Sequence, residues 1–506
     1  MKGKPIEVLK ERLREISYLA SASAVLGWDQ EVHMPAKGAD ARARASAQLS
    51  NVVHDKLVAI DDDKALTRLK KDVEAKKLRG KDAVIVEETW RSFEREKKLP
   101  ADFVRELSEL TAKAQHVWAE ARKKDDFGMF LPYLRRIVEM KRKEAKYVGY
   151  KDSPYDALLD SYEPGLSAKD ASAMLEDLKS FLVPFLKEIR SAKVKVDPKK
   201  TKARIPLSEQ IAFNKEISAA MGFDFEAGRM DQSTHPFTTT FHPQDVRITT
   251  RFREDDLLYS LGSTIHETGH ALYEQGLPSE HFGTPLGEAV SLGVHESQSR
   301  LWENNIGKSE AFWRHFYPKL QKRFPKPFKT LPFEEFMLIL NEVKPSLIRT
   351  EADEVTYNLH IIVRFEIEKG MIEGKIDPKD APKVWREKMK EYLGIEVPSN
   401  TLGVLQDVHW SAGYLGYFPT YALGNLYAAQ WYAAMEAEIP DLNKKIAKGE
   451  LSVPREWLRK NVHLHGKTYK AADLLKKVTG EKPISRYFTE YLKKKYGKLY
   501  SLGSKK

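Results

Sequence analysis

Apolar residues recur three and four positions apart through most of the chain. Val104, Leu107 and Leu110 show the spacing, as do Leu175, Leu178 and Leu182, each set embedded among charged residues. On an α-helix this spacing gathers the apolar side chains into one stripe and leaves the opposite face to water. The pattern therefore predicts a mainly α protein. Breaks fall at Pro100, at Asp152-Ser153-Pro154 and at Glu163-Pro164-Gly165, where Pro and Gly punctuate helices. The stretch 191–204, SAKVKVDPKKTKAR, has little to bury and reads as a solvated Lys-rich linker. One region departs from the helical period. Thr238–Phe241 and Val246–Phe252 are rich in Thr, Phe, Ile and Val, with His242-Pro243-Gln244-Asp245 between them. They predict a β-hairpin with a four-residue turn. Helical pattern resumes at Asp255 and runs to the C-terminus. There Tyr487, Phe488, Tyr491 and Tyr496 accompany Lys493-Lys494-Lys495, a spacing that favours a terminal helix packing one face over a base-stacking surface.

Leu9, Leu13 and Ile16 stand among charges, unlike the apolar core of a signal peptide. The most apolar later run, 411–435, is interrupted by Gly413, Gly416, Pro419 and Gly424, so a buried aromatic segment is expected there rather than a bilayer span. These features predict a cytoplasmic protein with no membrane partner. At 506 residues the chain is long enough to bury a large core. Lys and Arg number 84 against 73 Asp and Glu, a net +11. Spread over this length the excess is mild, and nucleic-acid binding, which needs a concentrated basic patch, is not expected. The chain has no Cys. That excludes disulfides, thiolate metal sites and a Cys nucleophile, so any metal must be held by His and carboxylate. Absent Cys and abundant Lys and Glu also fit a heat-adapted organism.

The strongest chemical signal is His266-Glu267-Thr268-Gly269-His270, an H-E-x-x-H pattern. On a helix, residues four apart share a face, so both imidazoles can reach one metal ion. Glu267 can then take a proton from water activated by that ion without ligating it. Leu258, Leu261, Ile265 and Leu272 would anchor this helix, and Gly276 with Pro278 would stop it. Catalytic zinc usually takes three protein ligands. The segment from Gly287 to Glu303 reads as a second helix and offers Glu288, His295, Glu296 and Glu303. Spacing does not choose among them. Gly466-Lys467-Thr468 looks like the end of a phosphate loop, but Asn461 stands where such a loop needs its first Gly.

Six motifs in order make the sequence resemble the carboxypeptidase Taq family of zinc metallocarboxypeptidases over nearly its whole length. They are His235-Pro236-Phe237, the D-x-R-x-T of Asp245, Arg247 and Thr249, the His266–His270 pattern, and His295-Glu296-Ser297-Gln298. Ile348-Arg349 with Ala352-Asp353 follows, and then Gly403, Gln406-Asp407 and His409-Trp410. Leu26-Gly27-Trp28-Asp29-Gln30 and Met34-Pro35 match as well. The resemblance implies a two-lobed helical metallopeptidase fold around a deep cleft, with the small sheet beside the zinc helix. It implies His266, His270 and Glu296 as ligands of one Zn2+ (or Co2+) per chain, and Glu267 as general acid/base. It further implies a thermostable homodimer that removes C-terminal residues from peptides with broad specificity, C-terminal Pro being disfavoured. One catalytic domain is expected over 1–506, with a helical lobe over about 1–204, a zinc-site core over 205–435 and a C-terminal helical part over 436–506.

A carboxypeptidase must read a free carboxylate, and a guanidinium does so with two parallel hydrogen bonds. Arg349 is the first candidate and Arg247 the second. The structural alternative pairs each with a carboxylate close in sequence, Asp353 or Asp245. His409, Tyr421 and His235 are candidate donors to the oxygen on which charge develops, buried aromatic packing being their alternative.

Overall fold

The computed structural model describes residues 4–503. Helices dominate it from Pro5 to Leu499, as the periodicity predicts. Leu175, Leu178 and Leu182 are buried along one helix, Ala168–Ser191. The Ser167 hydroxyl caps that helix by accepting from the Asp170 N–H at 3.0 Å. In the C-terminal helix Arg486–Leu499, Phe488, Leu492 and Tyr496 are buried while Lys493 and Lys494 are exposed. The run 411–435 leads into the largely buried helix Pro419–Glu438, and among the described residues no helix is long and apolar enough to cross a membrane.

The sheet has three strands, β1 (Gly228–Gln232), β2 (Thr238–His242) and β3 (Asp245–Thr250), in the order β1-β3-β2. β2 and β3 form the expected hairpin. Its loop, however, is two residues and not four, because His242 pairs with Asp245 and leaves only Pro243 and Gln244 outside the ladder. The Gln244 N–H closes the loop by donating to His242 Nδ1 at 3.1 Å. β1 runs parallel to β3 and has no counterpart in the sequence reading. Its residues, GRMDQ, bury only Met230, so no alternation betrays it. Close approach to β3 requires its glycine: a Cβ at Gly228 would stand 2.3 Å from the Val246 carbonyl oxygen.

Two compact units share the chain. The first comprises residues up to Lys97, Pro198–Phe336 and Trp431–Gly480. The second comprises Lys98–Asp197, Met337–Gln430 and the residues from Glu481 onward. These divisions differ from three consecutive parts ending at 204 and 435. The Lys-rich linker does straddle one crossing, at Asp197/Pro198. The crossings at Phe336/Met337 and Gln430/Trp431 fall inside the helices Phe333–Leu340 and Pro419–Glu438, where neither composition nor a breaker marks them.

The second unit contains a buried carboxyl group on its central helix, Tyr357–Glu373. Glu368 accepts from the Tyr155 hydroxyl, from Trp410 Nε1 at 3.0 Å and from the Gly416 N–H at 3.2 Å, pinning the loop that carries His409. Burial outweighs these three bonds and pushes its pKa up to about 7. Folded protein therefore binds one more proton than unfolded protein between the ordinary Glu value and pH 7. The stability this contributes is complete below about pH 4.5 and is lost as pH rises through 7, a change of about 3 kcal/mol. Glu368→Gln should remove that component. Thermal unfolding at pH 5 and pH 8 should then show a smaller pH-dependent difference in the variant than in the parent.

Candidate active site

The helix Leu257–Gly276 carries the H-E-x-x-H residues. Asp256 starts it by accepting from the Tyr259 N–H, and it stops at Gly276 ahead of Pro278. Leu261, Ile265 and Leu272 are buried, with Leu258 half-buried and Leu257 buried beside them. The second helix is shorter than the reading from Gly287. Pro285–Gly287 form a 3-10 turn, and the α-helix spans Leu292–Arg300, capped by the Ser291 hydroxyl on the Val294 N–H at 3.1 Å. Leu301–Ile306 then continue as a π-helix, a widened turn often found at functional sites. The two helices meet at Gly269, where an added Cβ would lie 2.7 Å from Ser299 Cα and 2.8 Å from the Gln298 carbonyl oxygen. On the neighbouring position, Thr268 Oγ1 bonds Ser218 Oγ at 2.9 Å in the buried interior.

This packing brings His266, His270 and Glu296 together, with one donor atom from each lying within 4.8 Å of the others. Glu296 Oε2 is 3.8 Å from His266 Nε2 and 3.5 Å from His270 Nε2. Of the other three candidates for a third ligand, none joins this group. Glu303 Oε2 contacts the far nitrogen of His266, Nδ1, at 2.8 Å. His295 stacks on the His270 ring, with 4.5 Å between centroids, and its Nε2 meets Glu274 Oε1 at 2.8 Å. Glu288 pairs with Lys467.

Charge is graded across the group. Burial opposes ionisation of Glu296, but Arg300 at 2.7 Å and the two imidazoles prevail and hold its pKa well below the carboxylate range. Glu303 behaves likewise under Lys308 and Arg300. Burial, with His295 beside it, pushes His270 down to about 3, so its ring is neutral. Burial also works to lower His266, yet Glu296 and Glu303 outweigh it and raise its pKa. Burial raises Glu267. Its Oε2 accepts from the Thr238 hydroxyl at 2.6 Å.

Two imidazoles and an ionised carboxylate are a donor set that zinc takes, and His270 offers its Nε2 to the group while its buried Nδ1 has no hydrogen-bond partner. The residues fit a divalent metal. The sequence left the orienting carboxylate of the site unassigned. Glu303 has that position, seven residues beyond Glu296 and two turns along the same element. Glu303→Gln should weaken metal binding by about 10- to 100-fold, the usual effect of losing a carboxylate behind a ligating His. Competition with a chromogenic chelator measures it, and saturating metal should restore most of the activity.

Arg349, His409 and Tyr421 belong to a second cluster, in the other unit. Arg349 Nε donates to Asp407 Oδ1 at 3.0 Å, Nη1 to the Tyr357 hydroxyl at 3.1 Å, and its guanidinium stacks over Tyr421. Its partner is thus Asp407 and not Asp353, which instead accepts from the Val355 and Thr356 N–H groups. Asp407 is shared. Arg364, fully buried, reaches Oδ2 at 2.6 Å, while Gln406 Oε1 accepts from the Arg349 N–H and from Arg364 Nη2. His409 Nε2 meets the Tyr421 hydroxyl at 3.2 Å, and burial lowers its pKa to about 4. Arg247 is occupied as its structural alternative predicts, by Asp245 at 2.9 Å and by the Trp28 ring. His235 is exposed in the connection between β1 and β2.

The sequence pattern of the carboxypeptidase Taq (M32) metallopeptidases matches residues 8–496. The chain belongs to this family. As an M32 metallocarboxypeptidase it is 42% identical to thermostable carboxypeptidase 1 of Thermus thermophilus, over 97% of this chain and 98% of that one. It is 40% identical to thermostable carboxypeptidase 1 of Pyrococcus furiosus, with the same coverage. The solved structure of an M32 carboxypeptidase from Deinococcus radiodurans superimposes with a TM-score of 0.93 at 37% identity, covering 98% of this chain and 99% of that one. The enzyme is therefore a metal-dependent hydrolase of peptide bonds.

Proposed function

We propose that this M32 enzyme is a zinc exopeptidase that releases residues one at a time from the C-termini of short peptides. It tolerates many released side chains and acts poorly on C-terminal Pro. The observation that carries the reading is the convergence of His266, His270 and Glu296, with the Glu267 carboxyl beside that group and outside it. Bound there, one Zn2+ per chain (Co2+ suits the same donors) supplies a Lewis acid that polarises the scissile carbonyl and lowers the pKa of water. Glu267 removes the proton from the attacking water and passes it to the departing amine. Burial raises its pKa, which strengthens the carboxylate as a base for that proton. Glu303 keeps His266 in the tautomer whose Nε2 is free for metal.

Arg349 reads the chain end. Two guanidiniums share the single Asp407 carboxylate, which leaves one buried positive charge for a substrate carboxylate to neutralise. Nε and Nη2 both face Asp407 Oδ1 and Nη1 faces the Tyr357 hydroxyl, so one hydrogen on each Nη is left for that purpose. His409 and Tyr421, beside it, donate to the substrate, and exposed His235 is a weaker candidate. Arg247, paired with Asp245 through Nε and Nη2, is the second candidate for that carboxylate. Family membership supports a cytoplasmic homodimer, and the relatives named as thermostable support heat resistance.

Mass spectrometry of a peptide digest tests the reading. Stepwise loss of single C-terminal residues is expected, abolished by chelator, restored by zinc and absent from a C-terminally amidated peptide. Internal cleavage of the amidated peptide would replace this reading with that of an endopeptidase.

A further inference from the structure

Strand β2 carries three successive threonines, and the sheet register decides which of them meet the metal-binding helix. Thr238 stands opposite Ile248, Thr239 opposite Arg247 and Thr240 opposite Val246. Ile248 and Val246 are buried and Arg247 is not. Directly opposed residues share a face, so Thr238 and Thr240 lie on the face of Ile248 and Val246, and Thr239 lies on the other with Arg247. Thr238 Oγ1 lies 2.6 Å from Glu267 Oε2 and 3.0 Å from the Glu267 main-chain oxygen. A hydroxyl has one hydrogen to donate, and the shorter contact, to an ionisable oxygen, is the stronger. Among the described residues no other hydrogen bond reaches the Glu267 carboxyl group, which leaves Oε1 without a protein donor.

We propose that Thr238 is a positioning residue for the reaction: its hydroxyl occupies Oε2 of Glu267 and so assigns proton transfer to Oε1. The inference rests on the reading of Glu267 as acid/base. Glu267 has three rotatable side-chain bonds, whereas Thr is stiff at χ1 and sits on a strand registered by its ladder. One bond from the strand therefore fixes both the rotation and the reach of the carboxylate. Valine has nearly the shape of Thr and the same branching, so it preserves the strand and removes only the donor.

Thr238→Val should lower kcat by about 10- to 100-fold, the scale on which misplacing a reacting group is felt. KM, metal content and melting temperature should be little changed. Thr238→Ser, which keeps the hydroxyl, should recover most of kcat. In the Glu267→Gln background, Thr238→Val should add almost nothing, because the residue it positions is already gone. Full kcat in Thr238→Val, alongside a large loss in Glu267→Gln, would overturn the positioning role and leave the reading of Glu267 standing. Retained activity in Glu267→Gln would instead remove that reading itself. Equal losses from Thr238→Val in both backgrounds, or loss of metal together with kcat, would show that Thr238 acts elsewhere. Should the Val variant fail to fold, Thr238→Ala is measured in its place.

Discussion

Glu267→Gln should retain one metal ion per chain and lose at least about 10²-fold in kcat. The substitution is nearly isosteric, and the side chain lies outside the donor group of His266, His270 and Glu296, so the metal loses no ligand. What changes is proton transfer. An amide neither accepts the proton of the attacking water nor returns it to the leaving amine. The Thr238 hydroxyl can still donate to the amide oxygen, so the new side chain should adopt the parent position. Metal content by elemental analysis and kcat on one preparation decide the matter. Near-normal turnover in a metal-replete variant would mean that another group moves the proton.

Arg349→Ala should cost kcat/KM roughly 2–5 kcal/mol, by analogy with breaking a buried charge pair. That corresponds to about 30- to several-thousand-fold. Metal content should stay normal. Asp407 would not be stranded by the change, because Arg364 still holds Oδ2 at 2.6 Å. The fold should therefore tolerate the loss better than it would tolerate removal of Asp407. Arg349→Lys should recover only part of the activity, since an ammonium lacks the planar fork and the stacking on Tyr421. Undiminished kcat/KM per folded, metal-loaded Arg349→Ala molecule would reduce Arg349 to a structural ion pair.

Local pattern made much of this molecule legible. The helix of His266 and His270 could be read from its apolar stripe, its motif and its Gly276–Pro278 stop, because each is encoded within 20 residues. The β2–β3 hairpin was visible for the same reason. Strand β1 was not, since it owes its conformation to β3 and to the glycine that lets the two backbones meet. Glu303 was visible as a carboxylate but not in its role, because the π-turn that brings it to His266 Nδ1 has no sequence signature. Arg349 was found, yet its partner lay 58 residues away at Asp407 and not four away at Asp353. Proximity along the chain is a poor guide to ion pairing where loops return from a distance. The unit crossings inside helices leave no mark in the sequence, because a helix runs on through them without any change in composition.

The packing at Gly269 bears on how such sites are sought in unfamiliar chains. Written as H-E-x-x-H, the pattern treats its two middle positions as interchangeable blanks. In this enzyme they are two different demands. One holds a hydroxyl that reaches Ser218 in the interior, and the other must lack a Cβ so that the backbone bearing Glu296 can lie against it. A search keyed to a small residue immediately before the second histidine would therefore select for the geometry of the third ligand, which the pair of histidines leaves open. A bulky residue at that position would mark a chain that draws its remaining ligand from farther away.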